Sequence, residues 1–131
     1  MQDMPAPEGG CRMEIRISVR ALVEFILRSG DIDNRKRTAP EGAMAEGGRI
    51  HRMIQRRMGA EYQAEVTLRF VYPAPSYDLV VEGRADGVIY GDSAEQKTAV
   101  IDEIKGTYRD LERMKEPVPV HLAQAKCYAY M

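Results

Sequence analysis

Three runs of strand character, at residues 62–72, 79–90 and 99–105, follow one another with only short breaks, and no feature constrains the fold of this chain more. Pro73-Ala-Pro-Ser76 parts the first two, and a polar stretch opened by Gly91 and closed by Lys97 parts the second and third. Proline and glycine are the strongest punctuation a chain has. Connections this short leave no room for a crossover helix, so successive strands run antiparallel. The expectation is a three-stranded antiparallel meander.

Helical patterns flank the meander. Ile50, Ile54 and Met58 recur every four residues, with Ala43 and Gly47 on the same stripe, and predict a helix over 43–58 that Gly59 ends. Earlier, Met13-Glu-Ile-Arg-Ile17 alternates like a short strand. Ser18 can cap a helix over 19–28 whose Ala21, Leu22, Phe25 and Ile26 form an apolar stripe. Ser29-Gly30 stops it, and 31–40 is polar enough for a loop. A last helix is expected from about residue 120 to the end. The expected fold class is therefore α/β: a helix, a three-stranded antiparallel meander, then a helix. Residues 1–12, rich in proline and glycine, form a flexible lead-in to one domain over 13–131, with its core at 43–131. No element follows the closing helix, so the expectation is a domain truncated at its C-terminal end, with a strand edge left open.

The 131 residues suffice for one domain with a core. Nineteen basic against 20 acidic side chains give a net charge of −1, which excludes a uniformly basic nucleic-acid coat. The charge is uneven: residues 1–60 hold 11 basic and 8 acidic side chains, residues 61–131 hold 8 and 12. Arg35-Lys36-Arg37 and Arg49, Arg52, Arg56 and Arg57 supply the basic excess, and a local patch is enough to bind a phosphate backbone. Cys11 and Cys127 are far apart and lack close-spaced partners, so the chain has neither a zinc set nor the thiolates of an iron–sulfur cluster. Free thiols, no signal-peptide pattern and no run near the roughly 18 apolar residues of a membrane span lead to the expectation of a cytoplasmic protein without a membrane partner.

The chemistry concentrates on the second and third strand runs. Glu103 and Lys105 lie two residues apart in Val100-Ile-Asp-Glu-Ile-Lys105 and so share one face of a strand. Asp86 closes the run Leu79-Val-Val-Glu-Gly-Arg-Ala-Asp86. Side by side, Asp86 and Glu103 could hold a hard cation such as Mg²⁺, and Lys105 could orient a water or stabilise phosphoryl charge. Two solvated carboxylates at strand ends and a plain Glu103–Lys105 ion pair account for the same residues. His51, if it reaches Asp86, adds a nitrogen ligand that tilts preference toward Mn²⁺; a lone histidine on a mixed helix is more often structural. Gln124 and Tyr128 lie one turn apart on a helix face, with His121 nearby, and could hydrogen-bond a phosphate or sugar. Arg16, Arg20, Arg52 and Arg109 are candidates for backbone contacts, and Tyr108 for stacking on an unpaired base. Glu82 and Arg84 either support Asp86 or pair across strands.

Taken together, Gly47…His51, Gly83-Arg-Ala-Asp86, Glu103-Ile-Lys105 and Gln124-Ala-Lys-Cys-Tyr128 resemble, in order, the motifs of the RecB-type branch of the PD-(D/E)XK nuclease superfamily. The resemblance implies a restriction-endonuclease-like core and a metal held by His51, Asp86, Glu103 and the carbonyl of Ile104, with Mg²⁺ or Mn²⁺ as cofactor and Lys105 catalytic. It implies that Gln124 and Tyr128 help place DNA. The chain is especially similar to nuclease domains that precede bacterial iron–sulfur DNA helicases of the DinG type, and to CRISPR-associated RecB-like exonucleases, although the four cysteines many of those use are absent. The expected function is a metal-dependent DNA nuclease acting in repair, recombination or helicase-coupled processing, on DNA that could be single-stranded. The alternative is a noncatalytic nucleic-acid-binding or assembly domain of a larger helicase complex.

Overall fold

The computed structural model describes residues 11–28, 40–93 and 96–131, without the side chains of Asp92, Ser93 and Gln96. The flexible lead-in (apart from residues 11 and 12), the 31–39 part of the expected loop with Arg35-Lys36-Arg37, and the stop at Ser29-Gly30 lie outside these residues. The elements are β1 (Met13–Ser18), α1 (Val19–Ile26), α2 (Ala43–Arg57), β2 (Tyr62–Pro73), β3 (Tyr77–Ser93), β4 (Gln96–Asp102), a short 3-10 turn (Leu111–Arg113) and α3 (Pro119–Tyr130). They make a mixed α/β domain around an open four-stranded sheet.

β3 is the axis of the sheet. β2 runs antiparallel along one of its edges, from Pro73 opposite Asp78 to Tyr62 opposite Ile89. The other edge is shared: β1 lies parallel to its first part, ending with Ser18 opposite Glu82, and β4 lies antiparallel to its last part, beginning with Asp102 opposite Gly87. The β2–β3–β4 meander is thus present, and β1 adds a parallel strand that local alternation cannot assign. Parallel pairing needs a long crossover, here the chain through α1 and α2. Arg12 secures the β2–β3 turn, donating to Asp78 Oδ1 and Tyr77 O at 3.0 Å each, while Ala74 N donates to Tyr77 O at 2.8 Å.

Two expectations need correction. β4 ends at Asp102, so Glu103 and Lys105 lie just beyond the strand rather than in it. Asp86 does not close a strand but sits inside β3, which continues to Ser93. The reason is the shared edge: residues 83–86 of β3 have neither β1 nor β4 beside them.

The core joins β3 to α1 and α3. Val19 and Val23 of α1, Val81, Ala85 and Val88 of β3, and Tyr128 of α3 form one buried cluster. Helix α1 starts where Ser18 Oγ accepts from Ala21 N at 3.1 Å, the expected cap. Its buried line is Val19 and Val23, one turn apart, with Leu22 half-buried; Phe25 and Ile26 of the expected stripe are 68% and 65% exposed. Helix α2 buries no residue fully and leans on half-buried Ile50, Ile54 and Gln55. Helix α3 opens with Pro119, whose missing N–H is no loss in a first turn. Glu14, Arg16, Arg69 and Glu82 form a cross-strand ion-pair group at 2.9–3.7 Å, so Glu82 belongs to that lattice rather than to Asp86, and Arg84 lies 4.0 Å from Glu65. Among the described residues no helix is long and apolar enough to cross a membrane.

Candidate active site

The break in the sheet edge at residues 83–86 is where three helices and the chain leaving β4 converge. Opposite Asp86 on the β2 side stands Glu65, the one position skipped in the β2–β3 pairing, with a left-handed φ of 55°. A non-glycine residue in that region is uncommon and strained. The ladder is therefore interrupted at Asp86 on both sides, and its polar groups find partners elsewhere. Its carbonyl accepts from Gln55 Nε2 of α2 at 3.0 Å. Its Oδ2 accepts from Ile104 N at 2.7 Å, which draws the chain leaving β4 across the gap. Its Oδ1 lies 3.4 Å from His51 Nδ1 on α2. His51 and Asp86 thus meet.

Glu103 follows immediately. Only 8% of its side chain is exposed, and Oε1 sits 2.7 Å from Lys105 Nζ. Buried Oε2 has no hydrogen-bond partner. Burial pushes the Glu103 carboxyl above its ordinary range, against the hydrogen bond from Lys105; the Asp86 charge pushes it further up, while the Lys105 and His51 charges oppose. These couplings place Glu103 in the same electrostatic neighbourhood as Asp86 and His51. Ile104 between them is buried at 5% exposure, which anchors the Glu103–Lys105 pair from the opposite side of the chain.

Helix α3 closes the site from beneath. Gln124 and Tyr128 are 5% and 7% exposed. The Tyr128 ring occupies the space above Gly83, where an added Cβ would lie 2.6 Å from Cε1. Burial raises the Tyr128 phenol, and the Glu103 charge adds to it. Both side chains, which the motifs lead one to expect near the DNA, are largely buried, and Tyr128 packs against Gly83. The other expected contacts are scattered. Arg20 is exposed on α1 and paired with Glu24 at 2.8 Å. Arg52 is exposed on α2, folded back toward Gly48. Tyr108 is 76% exposed, and the exposed Arg109 donates its backbone N–H to Thr107 Oγ1 at 3.1 Å.

Sequence reasoning did not find a second clasp beside the site. Tyr62 of β2 reaches over Gly87 and donates its hydroxyl to Asp102 Oδ2 at 2.9 Å. A Cβ at Gly87 would fall 1.9 Å from the Tyr62 ring, so only glycine fits beneath it. Burial, with the bond to Asp102, pushes the Tyr62 phenol up to about 12. The one available signal was the glycine directly after Asp86.

Among the described residues, no three His, Cys, Asp or Glu side chains converge closely enough to form a ready chelate. Asp86 and His51 meet, while Glu103 is held by Lys105. A buried carboxylate oxygen without a partner, a second carboxylate and an imidazole are what a hard-to-borderline cation takes. No family model, no curated protein and no solved structure matches this chain.

Proposed function

We propose that this domain hydrolyses phosphodiester bonds in DNA, with a divalent cation held by Asp86, Glu103, His51 and the Ile104 carbonyl, on a restriction-endonuclease-like core. The observation that carries the reading is the unpartnered, buried Oε2 of Glu103 beside the Asp86–His51 pair, because a buried carboxylate oxygen left unsatisfied destabilises a fold that has no use for it. A bound Mg²⁺ or Mn²⁺ supplies Lewis-acid stabilisation of phosphoryl charge and an acidified water. The chain's own contribution is orientation and charge. The Ile104 N–H holds Asp86 Oδ2, and Gln55 holds the Asp86 backbone, so the carboxylate is fixed before any ligand arrives. Lys105, its ammonium on Glu103, would hydrogen-bond a phosphoryl oxygen or the attacking water. Tyr128 packs against Gly83 of β3, and Gln124, one turn earlier on α3, is buried with it. Repair, recombination or processing coupled to a helicase is the setting such an activity suits.

A second reading has its own support. Lys105 already neutralises one Glu103 oxygen, and no three ligands converge among the described residues, as a noncatalytic nucleic-acid-binding or assembly domain would allow. Incubation with end-labelled single- and double-stranded DNA and Mg²⁺ or Mn²⁺ separates the two. The nuclease reading expects cleavage that Lys105→Ala abolishes while the circular-dichroism spectrum is unchanged. Cleavage by Lys105→Ala at the normal rate removes Lys105 from the chemistry, and no cleavage by the unmodified protein with either ion favours the noncatalytic reading.

A further inference from the structure

Beyond β4 the segment Lys105–Arg109 separates two hollows. One, of about 380 Å³, lies toward α2 and is lined by Gly47, Ile50, Gly106 and Tyr108, among others. The other, of about 330 Å³, lies toward α3 and is different in character. Lys105, Thr107, Arg109 and His121 line it over an apolar floor that includes Met114 and Val118, and no carboxylate lines it. Elsewhere on this molecule arginines are commonly matched by acids: Arg12, Arg16, Arg20, Arg49, Arg69 and Arg113 each have a carboxylate within ion-pair distance. Arg109 has none among the described residues, a state it shares with Arg28, Arg52, Arg56 and Arg57, but of these five it alone lines this hollow, and its neighbour Asp110 is engaged with Arg113 at 3.4 Å.

We infer that this hollow is an anion subsite that takes a phosphate group of the nucleic-acid strand, next to the one held at Glu103 and Lys105. The class of ligand rests on the nuclease reading, but the site does not. Three nitrogen-bearing side chains from two separate segments and one hydroxyl line the space; the Lys105 ammonium is already paired with Glu103 at 2.7 Å, so Arg109 is the cation there without a carboxylate partner among the described residues. His121 stands in the first turn of α3, where unpaired backbone N–H groups add a favourable field for an anion. Two cationic neighbours converge on that imidazole: burial holds its proton affinity down, and the charges of Lys105 and then Arg20 lower it further. An anion seated there would relieve that repulsion. Lys105 lines both the subsite and the Glu103 pair, so a strand lying across it would present consecutive phosphates to the two places. The apolar floor, with Leu111 and Met114 beside it, suits the sugar rather than a second charge.

The test is oligonucleotide binding, followed by fluorescence anisotropy over a salt series in the absence of divalent ions, so that neither metal binding nor cleavage enters. Arg109→Ala is expected to weaken binding severalfold and to lower the slope of log K against log salt by about one phosphate contact. His121→Gln is expected to weaken it less. Lys126→Ala, which removes one charge from the other side of α3 where Lys126 borders Leu27 and Leu122, serves as the control and is expected to leave the slope unchanged. Inorganic phosphate is expected to compete with the oligonucleotide in the unmodified protein and not in Arg109→Ala. Equal effects of Arg109→Ala and Lys126→Ala would reduce the subsite to general charge and overturn the inference, as would an unchanged slope in both pocket variants. Failure of metal binding at Glu103 would overturn the nuclease reading and leave this result standing.

Discussion

At the scale of single residues, Glu103 bears most on how the domain responds to protons, and the proposed cation site depends on it. Its carboxyl is raised above the ordinary range chiefly by burial, so the folded state binds that proton more tightly than the unfolded state does. The stability this confers is present below the ordinary glutamate range and is lost as pH rises through the raised value. At neutral pH the metal-free protein therefore carries a destabilising charge. Glu103→Gln is expected to raise the melting temperature of the metal-free protein at pH 7, and the difference should shrink on acidification to about pH 4. A thermal melt series over pH reads this directly; a variant equally stable or less stable at pH 7 would contradict the assignment. Lys105 is the matching residue. Its Nζ is bound to Glu103 at 2.7 Å, so Lys105→Ala should remove cleavage and, by leaving the buried Glu103 carboxylate without a partner, also lower stability at neutral pH, an effect that should fade on acidification.

At the scale of elements, the clasp at the end of β4 can be tested separately from the chemistry. Gly87→Ala would drive a methyl into the Tyr62 ring, so the ring must leave and its hydrogen bond to Asp102 must break. The expected loss is about 1–3 kcal/mol in urea unfolding. Ser18→Ala, which removes the α1 cap, should cost about 1 kcal/mol. These two cases show what the sequence makes legible. The Ser18 cap, helix α2 and the β2–β3–β4 meander follow from local pattern, since capping residues, a four-residue apolar spacing and short turns act over a few positions. The partner of β1 does not follow, because Ser18 meets Glu82 across a long connection and nothing local encodes that register. The stop of β4 at Asp102 was equally hidden. It depends on the Ile104 N–H choosing the Asp86 side chain over a strand ladder. Nor could helical period tell Val19 and Val23, which are buried, from Phe25 and Ile26, which are not.

At the scale of the whole molecule, the candidate site exists because β3 changes partners. β1 leaves its edge at Glu82, β4 joins at Gly87, and the gap between them receives Gln55 and His51 from α2, Ile104 from the chain beyond β4 and Tyr128 from α3. Residues from His51 to Tyr128 in sequence are brought together there. Glu103 and Lys105 meet at 2.7 Å beyond the end of β4, where strand alternation no longer applies, and the gap is likewise a property of the assembled sheet. Because α2 buries no residue fully, its hold on Asp86 through Gln55 and His51 is expected to tighten when a cation is bound. Slower amide exchange over 43–57 with Mn²⁺ than without it is the expected outcome, and exchange unaltered by the ion would argue against α2 as a ligand-bearing element. The most direct measurement is calorimetric titration of the intact domain with Mn²⁺ beside Glu103→Ala. Saturable binding that vanishes in the variant, with both proteins folded, is the expected result. Equal binding by both proteins, or none by either, would contradict a cation held at the Asp86–Glu103 site.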